Sequence, residues 1–161
     1  MLQGFKGDND YYASLPRKRI GSGVLLFYKT QLLIVQPAYS SGWLLPGGTV
    51  EAEESPLEGL VREIQEGLGI TITPTQILAV DYVHNIDVKG EYISFLFAAQ
   101  NLTERQAQKI RLASTDFKEF RFVDVDVALE LLTPSVARRV TSTLQAVSEG
   151  QNLSYLENGH I

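Results

Sequence analysis

The chain has 161 residues, 44% of them hydrophobic and 20% charged, with a formal net charge of −5 and no cysteine. That length and apolar share suit one domain with its own core. The missing cysteines exclude a disulfide framework, a thiol nucleophile and a thiolate metal site, and two histidines, His84 and His160, are too few for a zinc centre.

The negative balance argues against a dedicated DNA-binding surface, yet admits small phosphorylated substrates where a cation mediates the contact. No apolar stretch approaches the roughly 18 residues of a membrane span, and the N-terminus lacks the apolar core of a secretory leader. The expectation is a cytoplasmic protein without membrane association, a monomer or homodimer, divided into an arm (1–18), one domain (19–150) and a tail (151–161).

In chain order, Met1–Asp10 reads as loosely held. Tyr11 and Tyr12 are expected to pack on a neighbouring surface, with base stacking as the alternative. Arg17, Lys18 and Arg19 form a basic entry to the first strand, and Arg19 is a candidate for substrate contact. Ile20–Tyr28 is too continuously apolar for a one-sided edge strand, Lys29–Gln31 turns, and Leu32–Val35 returns. Pro37 is expected to end that pairing, because proline donates nothing to the ladder.

Tyr39–Gly42 is a polar loop, and Trp43-Leu44-Leu45-Pro46-Gly47-Gly48 leads into a sharp turn. Ser55-Pro56 with Glu58 three residues on is a helix start: the hydroxyl caps, Glu58 reaches back, and proline has no N–H to lose. Leu57, Leu60, Val61, Ile64 and Leu68 then share a face, with Glu63 and Glu66 on the adjoining polar side and Gly69 as C-cap. Ile77–Val83 and Glu91–Ala99 read as strands joined by a polar loop, Asn85–Gly90.

Further on, Thr103 is placed to cap a short helix within Leu102–Arg111, and Phe117–Val123 forms a final strand. Helices at Val125–Leu132 and from Pro134 to about Gly150 complete the domain; residues after Gln151 are polar enough to fray, with docking of Leu153, Tyr155 and Leu156, or their joining a partner, as the alternative. Strands between helices predict an α/β fold, a layered sandwich around a mixed sheet.

Carboxylates clustered beside a glycine turn suit a hard cation that couples to phosphates, such as magnesium; a solvated acidic helix face is the alternative. Glu63 and Glu66 are the side-chain candidates and the Gly47 carbonyl a backbone one. The stretch Gly48–Ile70, with Gly48, Glu54, Arg62, Glu63, Ile64, Glu66, Gly69 and Ile70 at fixed spacing, resembles the Nudix box of the Nudix hydrolases. It departs from that pattern at Gly67, where a second glutamate is usual. The approach from Trp43 to Gly47 is also similar to that family's.

The resemblance implies an α/β/α sandwich, a Mg2+ or Mn2+ cofactor and hydrolysis of a pyrophosphate bond in a nucleoside diphosphate linked to another group. It assigns catalysis to Arg62, Glu63 and Glu66 and metal binding to Gly47, Glu63 and Glu66, with Gly48 and Glu54 in support. Arg62 orients the carboxylates, Glu54 among them, by a forked ion pair. The carboxylate missing at Gly67 is expected to be replaced by water or by Glu119, Asp116, Glu51 or Glu53, and restoring it with Gly67→Glu is expected to keep or raise activity. Trp43 and Tyr39, with Tyr82 and Phe120, are candidates to bound the substrate, a small nucleotide-like molecule. The alternative is a catalytically weak nucleotide-binding protein.

Overall fold

A computed structural model describes residues 7–84, 89–113 and 115–161; most of the expected Asn85–Gly90 loop lies outside the described residues. The central sheet has five strands in the order β4-β1-β6-β5-β8, formed by β1 (Arg19–Leu25), β4 (Gly47–Thr49), β5 (Pro74–Val83), β6 (Tyr92–Ala99) and β8 (Ser154–Glu157). β1 runs parallel to β6 and antiparallel to β4, while β5 is antiparallel to β6 and parallel to β8, so the sheet is mixed, as expected. A second sheet contains β2 (Phe27–Tyr28), β3 (Gln31–Pro37) and β7 (Phe117–Val123).

The apolar run expected as one strand from Ile20 to Tyr28 is therefore divided at Leu26, and its two parts belong to different sheets. Pro37 does end the pairing, as expected. β3 runs to Pro37 opposite Phe117, accommodated by a bulge after Gln36, where a missing donor costs no ladder bond.

Successive residues of these strands face opposite cores. Leu25, Leu32, Ile34 and Leu96 join Ala128, Leu132, Val136 and Val140 of α4 (Val125–Leu131), α5 (Pro134–Ser148) and the residue between them. Val24, Leu33, Val35 and Phe97 join Leu60, Ile64 and Leu68 of α2 (Pro56–Leu68). Burial on both faces explains the unbroken apolar runs and makes the α/β fold layered.

α2 begins as its sequence dictates. Glu58 N–H donates to Ser55 Oγ at 3.1 Å, Ser55 N–H donates to Glu58 Oε2 at 2.8 Å, and Gly69 closes the helix in a left-handed conformation. Its buried stripe is narrower than the sequence periodicity suggests: Leu57 is exposed, and Gly59 and Gly67 are buried instead. The short helix capped by Thr103 is α3 (Glu104–Lys109).

Each terminus adds one further element. Asp8–Ser14 forms a helix, α1, on which the Tyr11 and Tyr12 rings meet edge-on at 5.2 Å. The residues after Gln151 do not fray: β8 extends the sheet beside β5, and a turn from Glu157 to His160 folds back on it. Alternation of buried Ser154 and Leu156 with exposed Tyr155 and Glu157 drives this docking. β8 is thus the outer strand of the central sheet beside β5. Among the described residues no helix is long and apolar enough to cross a membrane.

Candidate active site

A cleft of about 360 Å3 opens between β1, β6, the β4 turn, α2, the start of β7 and α5. Gly47 has φ of 144°, and a Cβ there would lie 2.0 Å from the Ser22 carbonyl oxygen, so the turn against β1 requires glycine. Beside it, a Cβ on Gly48 would come to 2.4 Å from Glu63 Cδ. The bare backbone leaves a cradle into which the Glu63 carboxylate fits.

Arg62 ties the carboxylates together. Its Nε donates to Glu54 Oε1 at 2.6 Å and its Nη2 to Glu54 Oε2 at 3.0 Å, a forked pair. Nη1 donates to Glu63 Oε1 at 2.9 Å and to Glu66 Oε2 at 3.2 Å, and Nη2 also reaches the Thr49 carbonyl at 3.1 Å. Glu54 accepts a further bond from the Glu51 N–H. The Arg62 hydrogen bonds, and then that N–H, hold the Glu54 carboxyl below the usual carboxylate range.

Glu63 is shifted the other way. Burial raises its proton affinity, Arg62 partly offsets this, and the charges of Glu66 and Asp116 add to the rise. Glu66, by contrast, is 61% exposed.

The remaining candidates separate. Gly47, Gly48, Glu63, Tyr39 and Asp116 line the cleft. Trp43 does not: it is buried in the core, with the Arg121 guanidinium 4.7 Å from its ring centroid. Glu119, expected as an outside ligand, sits on β7 in an exposed ion pair with Arg121 at 2.7 Å and does not line the cleft. Its neighbour Asp116 does. Arg19 donates to the Lys89 carbonyl and lies 5.0 Å from the Tyr92 ring centroid, so it backs a cleft residue rather than lining the cleft itself. Tyr82 donates to Glu91, which also pairs with Lys18, and Phe120 packs against Phe122; neither lines the cleft.

At Gly67 the space of a side chain is taken. A Cβ there would lie 2.6 Å from Phe117 Cε2. The ring crowds any side chain at its first carbon, so Gly67→Glu is not a simple restoration.

Three features of the cleft escaped the sequence reading: Phe117, the polar wall of Ser22, Tyr92 and Ser94, and Arg139. Arg139 Nε donates to Asp81 Oδ2 at 2.8 Å in a buried pair, and its Nη2 donates to the Tyr92 hydroxyl at 3.2 Å. The available signal was a lone aspartate in the apolar strand Ile77–Val83 and an arginine on the apolar terminal helix, each needing a partner if buried.

The donor set is all oxygen, which suits a hard cation. Among the described residues no group of three acidic or histidine side chains converges closely enough to enclose an ion. Magnesium, however, is commonly held by one or two carboxylates together with substrate phosphates. Glu63 in its glycine cradle and Glu66 beside it fit that mode.

Comparison with known proteins agrees with this geometry. Residues 17–144 match the NUDIX domain model. The chain therefore belongs to the Nudix family, whose hydrolases act on nucleoside diphosphate derivatives and generally use divalent metals. Among its relatives is the Bacillus subtilis protein named "Putative ADP-ribose pyrophosphatase YjhB", 32% identical over 85 residues, which are 52% of this chain and 41% of that protein. Another is the 8-oxo-dGTP diphosphatase of Proteus vulgaris, 30% identical over 94 residues, 54% of this chain and 83% of the relative. The chain thus spans less than half the length of the first. The MutT protein of Methanosarcina mazei shares the fold with a TM-score of 0.66 over 85% of this chain and 99% of its own, at 23% identity.

Proposed function

We propose that the chain is a Mg2+- or Mn2+-dependent pyrophosphohydrolase acting on a nucleoside diphosphate linked to another group. The observation that carries this reading is the Glu63 carboxylate, sunk against Gly48 inside a cleft and tied through Arg62 to Glu54 and Glu66. A family relative named 8-oxo-dGTP diphosphatase supports it.

Glu63 and Glu66 would hold the cation with the Gly47 carbonyl, and Asp116, which lines the same cleft where Glu119 does not, would supply a further oxygen. When bound, the cation neutralises phosphate charge and polarises the phosphoryl oxygen. Glu63, held by Arg62 at the Gly48 turn inside the cleft, would accept the proton of the attacking water at its carboxylate. The new P–O bond forms as the bridging P–O bond of the pyrophosphate breaks, leaving two phosphomonoesters when both flanking groups are organic. Arg62 fixes the direction of both glutamates throughout.

The Phe117 ring at Gly67 favours a second reading, a nucleotide-binding protein with little turnover, because it removes one family ligand position. A screen of nucleoside triphosphates, dinucleoside polyphosphates, ADP-ribose and nucleotide sugars under each metal separates them. Turnover of at least one compound, falling about a hundredfold or more in E63Q, supports the hydrolase. Nucleotide binding with no turnover under either metal supports the second reading.

A further inference from the structure

Among the described residues four glycines line the cleft, Gly21, Gly23, Gly47 and Gly48, and the fold itself requires only the last two. Gly47 needs its positive φ, and Gly48 makes room for Glu63. Gly21 and Gly23 of β1 are different. Neither has a positive φ. A Cβ would meet nothing closer than the Gly48 carbonyl oxygen at 3.7 Å for Gly21, and the Pro46 carbonyl oxygen at 3.7 Å for Gly23. Those are ordinary van der Waals distances, so both positions have room for a side chain.

Glycine inside a strand loses more chain entropy on folding than alanine and packs nothing. β1 is an inner strand, between β4 and β6, where such residues weaken the sheet most plainly. Two apart, Gly21 and Gly23 share one face. Their cross-strand partners are Thr49 and Gly47 of β4 and Ser94 and Leu96 of β6, and all four line the cleft. Ser22, between them, spends its Oγ on the Pro56 carbonyl at the start of α2, at 2.7 Å. A strip of bare backbone therefore runs along the floor of the cleft.

The peptide groups of an inner strand are committed to neighbours on both sides, so the strip has no N–H to give a phosphate oxygen. What it offers is Cα–H groups and flat peptide faces. Leu96 and Leu45 flank Gly23, 3.9 and 4.0 Å from where its Cβ would lie, and Val136 lines the same cleft. Such a surface suits the face of an organic ring in van der Waals contact. Its place is beside the acidic end: Ser22 pairs with Gly48, against which the Glu63 carboxylate sits. A ring on the strip would adjoin phosphates held at Glu63.

We propose that Gly21 and Gly23 form a ligand floor, on which a ring of the substrate's nucleoside lies directly against the β1 backbone. The inference rests on the nucleotide-substrate reading above, but it does not require turnover.

The test is to make Gly21→Ala and Gly23→Ala and to follow each by thermal melting without ligand and by calorimetric titration with AMP, GMP, UMP and CMP in saturating Mg2+. These monophosphates contain no pyrophosphate bond to break. Each variant should melt about 1–3 °C above wild type, as alanine replaces glycine where the backbone permits it. Its affinity for the tightest-binding of the four should fall at least about fivefold, the lower end of the effect of one overpacked methyl group. The stabilisation by Mg2+ alone should persist. A rise in stability with a loss of affinity is a combination that a merely structural glycine does not give. Ribose 5-phosphate, run alongside, shows whether the sugar or the base is the ring in contact. A melting temperature at or below wild type in either variant, or a smaller fall in affinity, would overturn the proposal. Failure of all four compounds to bind wild type would overturn it together with the nucleotide reading. A chain that binds them as described yet hydrolyses no pyrophosphate bond would sink the hydrolase reading alone.

Discussion

Two arginines serve the cleft, Arg62 through its bond to Glu63 and Arg139 by lining it. Arg62 faces Glu54, Glu63 and Glu66, with its side chain 23% exposed and Glu66 open to solvent. Arg139 meets a single carboxylate, Asp81, the two 8% and 1% exposed, and the Tyr92 hydroxyl. The first cluster has excess negative charge at a wet surface, so it can take up a cation and reorganise around it. The second is balanced one to one and dry, so it can only hold its shape. The same pair of functional groups is reactive in one setting and a fixed template in the other, and stoichiometry with burial decides which.

If that contrast is right, Asp81→Ala should cost about 3–5 kcal/mol of stability in chemical denaturation, because it strands Arg139 in the interior. Glu66→Gln should cost at most about 1 kcal/mol, as expected for an exposed pair. Similar losses in both variants would erase the distinction.

The metal response comes next in size. Magnesium at about a hundred times its dissociation constant should stabilise the native state by about 2.7 kcal/mol. The rise in melting temperature should vanish in E63Q and persist in Tyr92→Phe. A rise unaffected by E63Q would place the cation elsewhere.

Adding a third helical carboxylate should not strengthen the wet cluster. Gly67→Glu is expected to destabilise by about 1–3 kcal/mol through overpacking against Phe117, and Phe117→Ala in the same chain should recover part of the loss. A melting temperature at or above wild type for Gly67→Glu alone would show that the ring yields freely.

The smallest effect is in pH. Glu54 has a depressed folded pKa through Arg62, so its contribution is complete above the unfolded carboxylate pKa and is lost as pH falls through the lower folded value. The stability gap between wild type and Glu54→Gln, followed by thermal melts, should therefore narrow in acid below the ordinary carboxylate range. A gap constant through that range would mean Arg62 does not favour the charged form.

What was legible in the sequence was local. The Ser55–Glu58 box, the Gly69 cap, the Thr103 cap and the spacing from Gly48 to Ile70 each sit within one segment and report on it directly. The box also carried the family and the Arg62 cluster. What was not legible depends on distant pairing. Asp81 and Arg139 are 58 residues apart, and neither has a local pattern that names the other. The short β8 gains its order from pairing with β5 and from packing Leu156 into the core beside α5, and so reads as a polar tail when taken alone. The division at Leu26 is likewise set by which sheet each half joins.

The Phe117 ring against Gly67 has a historical consequence. A descendant of this chain cannot regain the family's second glutamate in one favourable step. Gly67→Glu made first collides with the ring, whereas trimming Phe117 first opens a gap beside α2 with nothing yet to fill it. Positions 67 and 117 are therefore coupled through packing, and a carboxylate at the first is expected to be accepted only together with a smaller side chain at the second.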